Sequence, residues 1–261
     1  MSSGHSDATS DRSDFVVCFV YGAPGTGKST LLDALESNAD DGCPFWFAVV
    51  HEPTRKPKIA RLIREAYKQD HRGNVDGLAK SYAFQAQMLI AEQRRVDVQD
   101  FVDNWLDGSL QQAAKHGKRL VVVFDGSPGT DLLLYGSCKH EDGLISDDQL
   151  KLLQQTTKKV VLSVPVRFQA PSLFVQLRIA DDTDGRKHWH RVCVQRAAET
   201  ERGVSPDVFA RLARFADATA ERLATKMEHV AINTDKIDSK TVYEAFCRQL
   251  LNGRLAGIRA Q

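Results

Sequence analysis

The chain has 261 residues, 42% of them hydrophobic, enough for one substantial core at the upper end of single-domain size. Its 35 Lys+Arg against 34 Asp+Glu leave a formal charge of +1, which removes any global electrostatic case for a nucleic acid or an anionic membrane as main partner. No apolar run approaches the ~18 residues of a membrane helix. Five scattered cysteines without CxxC spacing predict reduced thiols in a cytoplasmic compartment, not a disulfide framework or a zinc site.

Residues 1–14, rich in Ser and Asp, read as a disordered tail, and residues 15–261 as a single domain. The acids Asp7, Asp11 and Asp14 argue against a mitochondrial transit peptide. The first strand-like run is Phe15–Tyr21, and directly after it Gly22, Ala23, Pro24, Gly25, Thr26, Gly27, Lys28 and Ser29 fit GxxxxGK[ST], with Thr30 opening a helical pattern. Glycines let such a loop curl until its backbone N–H groups face phosphates, and the helix start adds roughly +0.5 charge at the same point. Lys28 is then expected to reach the β- and γ-phosphates of ATP or another nucleoside triphosphate, and Ser29 to ligate Mg²⁺.

A second apolar run, Phe45–Val50, exits through His51-Glu52-Pro53. Ligands of open α/β sheets collect beyond the carboxyl ends of the strands, so Glu52 is a candidate general base for a hydroxyl acceptor, with a solvated turn as the plain alternative. Helical patterns follow over Ile59–Lys68, Leu78–Val96 and Val98–His116, the first two separated by a loop at His71–Gly77. On the second of them Gln85, Met88 and Glu92 share one face, and Gln85 offers the paired donor and acceptor that a nucleobase edge requires. Phe84 and Met88 are either flanking groups for such a base or ordinary core.

The run Leu120–Phe124 ends in Asp125-Gly126-Ser127, where Asp125 reads as a Mg²⁺-holding acid or as a helix cap. A loop at Gly136–Gly143, a helix over Asp147–Gln155, strand-like Val160–Val164 and Leu173–Ile179, and a loop at Ala180–Lys187 come next. Helical patterns at Arg191–Thr200, Pro206–Glu228 and Val242–Leu250 complete the chain. The alternation predicts an α/β fold with a parallel sheet covered on both faces.

In this order, the phosphate loop, Glu52-Pro53, Ala66-Tyr67-Lys68, Phe84-Gln85, Asp125-x-Ser127 and the segment Arg196 to Val204 resemble the deoxynucleoside kinase family. The likeness runs from about Phe15 to Leu223. It implies a P-loop NTPase-like sheet with a short arginine-containing lid, a homodimer built on the two long helices after the second strand, and 5′-phosphorylation of a deoxynucleoside in nucleotide salvage. By the same resemblance Glu52 activates the 5′-hydroxyl, Gln85 binds the base, Tyr67 and Glu201 hold the 3′-hydroxyl, and Arg196 stabilises the transferred phosphoryl group. Glu92 and Asp131 stand where the family tunes base choice.

Two arginines usual in the family are replaced by Gly126 and Ala198, and a tryptophan usual after Glu-Pro is absent. Cationic assistance at the γ-phosphate is then reduced unless Arg191, Arg55 or Arg202 substitutes. The alternatives are a non-catalytic nucleotide-binding or scaffold protein and a P-loop kinase for another small alcohol.

Overall fold

A computed structural model describes residues 15–37, 42–70, 77–169, 172–179, 187, 189–195, 206–225, 227–234 and 239–252, without the side chains at 67–70, 206–207 and 239. The tail at 1–14, most of the two loops around 71–77 and 180–187, and the lid segment at 196–204 lie outside the described residues.

Strands β1 (Phe15–Tyr21), β2 (Phe45–Val50), β3 (Arg119–Asp125), β4 (Leu173–Arg178) and β5 (His229–Asn233) form one parallel sheet in the order β2-β3-β1-β4-β5. Side chains alternate between the two faces of a strand, so β1 feeds two cores. Val16, Cys18 and Val20 join Leu31, Leu35, Phe246 and Leu250 on one face. Val17, Phe19 and Tyr21 join Phe124, Phe168 and Phe174 on the other, where Phe19 meets the Phe124 and Phe174 rings edge-on at 5.4 Å. The register sets Val20 of β1 opposite Asp125 of β3, which brings the acid beside the strand end from which the Gly22 loop departs.

Helices α1 (Lys28–Glu36), α2 (Pro57–Asp70), α3 (Gly77–Asp100), α4 (Leu106–Lys115), α5 (Pro128–Asp131), α6 (Ser137–Glu141), α7 (Asp147–Ser163), α8 (Val166–Gln169), α9 (Pro206–Ala224) and α10 (Ser239–Asn252) cover the sheet. Residues 189–195 are also helical. Among the described residues no helix is long and apolar enough to cross a membrane. All five cysteines are buried thiols outside any disulfide.

Three expectations change. Most of Val160–Val164, read as a strand, forms the end of α7, with Val160–Ser163 helical and Val164 its extended C-cap: Ser146 and Gln149 make a reciprocal capping box at its start, and Leu153, Thr157 and Val160 are its buried positions. That helical spacing outweighs the β preference of two valines. The Gly136–Gly143 loop is largely helical, because a π-helical turn at Leu132–Gly136 runs directly into α6. The two long helical patterns are a single column, in which a π-helical turn at Phe101–Trp105 buries Phe101 and turns Trp105 outward at 62% exposure.

Strand β5 had no reading as a strand at all. It is short, and it exists through parallel pairing with β4, where Val175 faces Val230.

Candidate active site

The loop between β1 and α1 is tied back into the protein by its carbonyls. Thr26 Oγ1 donates to the Ala23 carbonyl at 2.8 Å, Trp189 Nε1 to that of Pro24 at 3.0 Å, and Thr234 Oγ1 to that of Thr26 at 2.8 Å. Gly27 caps α1 in the left-handed region, at φ 84°, and no side chain caps the helix N-terminus. A Cβ disfavours that backbone, whereas glycine adopts it freely, and the uncapped N–H groups of the first turn form an anion-binding end.

A cavity of ≈ 540 Å³ opens on this loop. Lys28, Ser29 and Thr30 line it together with Glu52 and Asp125, so the P-loop and both predicted strand-end acids share one space. Glu52 follows β2 and precedes the one-turn 3₁₀ helix Pro53–Arg55, and the Thr54 hydroxyl donates to its Oε1. Asp125 is 3% exposed, and its Oδ1 has no hydrogen-bond partner among the described residues. Burial pushes its carboxyl above the usual range, with Glu52 and Asp131 adding to the effect and Lys28 and Arg94 opposing it. The helix-cap reading of Asp125 does not hold, since Ser127 takes that place by accepting from the Thr130 N–H at 3.0 Å.

Asp131 is buried and gripped in a fork by Arg94, through Nε at 2.8 Å and Nη2 at 3.2 Å. Burial acts against the charged guanidinium, but Asp131, with help from Asp125 and Glu52, outweighs it and raises the Arg94 pKa. Burial raises Asp131 as well, against the pull of Arg94. The same guanidinium explains Gly126: its φ is +81°, and a Cβ there would lie 2.7 Å from Arg94 Nη2. The space beside Asp125 is already held by an arginine from α3.

The cavity does not receive Gln85, Met88 or Glu92. Gln85 is exposed and donates to Ser81 Oγ at 2.8 Å, while Glu92 pairs on the surface with Arg95 at 3.5 Å. The buried face of α3 instead runs through Ala79, Ala83, Ala86, Ile90 and Arg94, and Gln87 lies on it at 3% exposure and lines the cavity. The helical wheel of small and apolar residues carried that signal, because only position 87 falls in register with Ile90 and Arg94. Tyr135 and Lys139 also line the cavity and were missed: Lys139 sits in the stretch read as a loop, and Tyr135 directly before it, one turn earlier. The calls on the Tyr67 side chain, Arg196 and Glu201 lie outside the described residues.

No protein-family profile matches the sequence, and no curated protein does either. Solved structures do. Deoxyadenosine kinase from M. mycoides with bound dCTP aligns at a TM-score of 0.60 and 13% identity, over 93% of this chain and 100% of that one. The chain has the deoxynucleoside kinase fold. The same kinase with bound dATP gives a TM-score of 0.57 at 14% identity, covering 90% and 98% of the two chains. With its products dCMP and a flexible dCDP bound it gives 0.57 at 12%, covering 90% and 97%. The five-stranded parallel sheet and flanking helices of the deoxynucleoside kinase fold are thus nearly complete in this chain.

Proposed function

We propose that the chain transfers the γ-phosphoryl group of ATP, or another nucleoside triphosphate, to the 5′-hydroxyl of a deoxynucleoside. What supports this reading is one cavity lined by a phosphate loop and a strand-end carboxylate and also by Ile90, Tyr135, Phe209 and Gln87. Apolar and aromatic walls with one paired donor and acceptor suit a nucleobase. Gln87 takes the role first read onto Gln85.

In this reading Lys28 and the N-terminus of α1 hold the triphosphate, and Glu52 accepts the proton of the attacking hydroxyl and aims its oxygen. Asp125 fits a divalent cation, because its buried Oδ1 lacks a protein partner. Mg²⁺ would rest on Asp125, Ser29 and the nucleotide's own oxygens, and would supply charge neutralisation to the phosphates. Arg55, which lines the same cavity, is a further cation within reach of the phosphates, and Arg196, Tyr67 and Glu201 keep their proposed roles at the lid and the sugar. Nucleotide salvage in the cytoplasm is the corresponding cellular role. A homodimer through α3 and α4 would cover Val96 and Trp105, which are 44% and 62% exposed.

Incubating the chain with labelled ATP, Mg²⁺ and each of the four deoxynucleosides tests the proposal. Formation of a 5′-monophosphate from at least one supports it; nucleotide binding with no product from any of them leaves the non-catalytic reading, which Ala198 favours. A second experiment separates these readings further. Gly126→Arg is expected to lower the melting temperature without raising turnover. The new side chain would enter at a positive φ and meet Arg94, at a cost of about 1–2 kcal/mol for the backbone alone.

A further inference from the structure

Cys43 and Cys247 meet in the core beneath Val16 and Cys18, their sulfurs 3.5 Å apart although 204 positions separate them in the chain. Cys43 stands two residues before β2, and Cys247 lies on α10 one turn after Tyr243. Packing holds the two segments together. Tyr243 and Phe246 both lie against Phe47 of β2, with ring centroids 6.1 and 6.0 Å from that of Phe47. The Tyr243 hydroxyl is hydrogen-bonded to both sulfurs, and burial together with those bonds keeps it protonated well above the usual phenol range. It is a ready donor to a sulfur that becomes an anion.

Of the five cysteines these two keep the largest exposure, at 5% and 8% against 2% or less for Cys18, Cys138 and Cys193. A small oxidant therefore reaches them with the least opening of the fold. A disulfide requires the sulfurs at about 2.05 Å, so the pair has to close by about 1.5 Å, which is within the reach of small side-chain rotations. β2 is an edge strand, paired with β3 on one side, and α10 packs over its face. Neither cysteine lines the cavity, and Glu52 follows the opposite end of β2. A bond here would tie the strand down without entering the site.

We propose that Cys43 and Cys247 are an oxidation site, at which a peroxide converts the two thiols to a disulfide that braces β2 against α10. One thiol, as its thiolate, attacks the peroxide: an S–O bond forms, the O–O bond breaks, and the leaving hydroxide takes the thiol's proton as water. The second sulfur then attacks the sulfenic acid, so that the S–S bond forms, the S–O bond breaks and a second water leaves. Two thiols are oxidised and one peroxide is reduced to two waters. The closed loop spans nearly the whole folded chain, and a crosslink of that length removes much of the unfolded chain's freedom. The inference is independent of the phosphotransfer reading.

Stepwise oxidation of the folded full chain with hydrogen peroxide, an acid quench, alkylation and non-reducing peptide mapping identify any linked residues. The expected product is a Cys43–Cys247 crosslink that a dithiol reductant reverses, with a melting temperature about 5–10 °C above that of the reduced protein. Cys43→Ala and Cys247→Ala should each abolish both the crosslink and the rise. If either variant fails to fold, the map of the unaltered chain decides by itself. Sulfinic acid at either thiol with no crosslink, a crosslink between other cysteines, or a Cys43–Cys247 bond that forms only after unfolding in guanidinium overturns the site. A crosslink that leaves the melting temperature unchanged overturns the brace.

Discussion

Glu52→Gln is expected to cut turnover by about 10²- to 10⁴-fold while nucleotide affinity stays within about twofold of wild type. The amide keeps the size and hydrogen-bonding reach of the carboxylate, including the bond from Thr54, but has no affinity for the proton that leaves the acceptor hydroxyl. Steady-state phosphorylation and equilibrium titration of an ATP analogue separate the two quantities. The comparison variant is Lys28→Ala, for which nucleotide affinity and turnover should fall together, because in the proposed reading Lys28 holds the phosphates in ground and transition states alike. Unchanged turnover in Glu52→Gln would remove the carboxylate from the chemistry and with it the argument from the shared cavity.

Arg94→Ala is expected to be the most destabilising single change in the site. Arg94 and Asp131 are both almost wholly buried, and their fork of 2.8 and 3.2 Å is what compensates the Asp131 charge. Removing one partner of such a pair typically costs about 3–5 kcal/mol, since the other is left charged or must take up a proton. For a domain of this size that lowers the melting temperature by about 10 °C. The double variant Arg94→Leu with Asp131→Leu should recover a large part of the loss, because no buried charge remains. A double variant no more stable than Arg94→Ala would show that the pair's value lies in geometry rather than in mutual neutralisation.

The phosphate loop, Glu52 and Asp125 were legible in the sequence because each is a local event: a motif or an acid at the end of an apolar strand. Gln87, Tyr135, Lys139 and Arg94 were not. Gln85 and Gln87 are chemically identical and two residues apart, so which of them faces inward depends on the face that α3 turns to its neighbours. Tyr135 and Lys139 were hidden by Gly136 and Gly143, which read as loop punctuation but sit in and just after a π-helical turn continued by α6. The missing arginine at Gly126 looked like a deficit, and its space proves to be filled from α3 by a side chain 32 positions earlier in the chain.

By itself, then, the order of apolar strands, glycine turns and strand-end acids determined an α/β sheet with a phosphate loop opposite a carboxylate. Hydrophobic alternation and backbone sterics act over a few residues and need no distant partner. Tertiary structure alone decided the pairing of β5, the helical rather than extended state of residues 160–163, the face of α3, and the meeting of Arg94, Asp131 and Gly126. Each of these is set by burial and electrostatics between segments far apart in the chain, and such terms have no magnitude until the elements have packed.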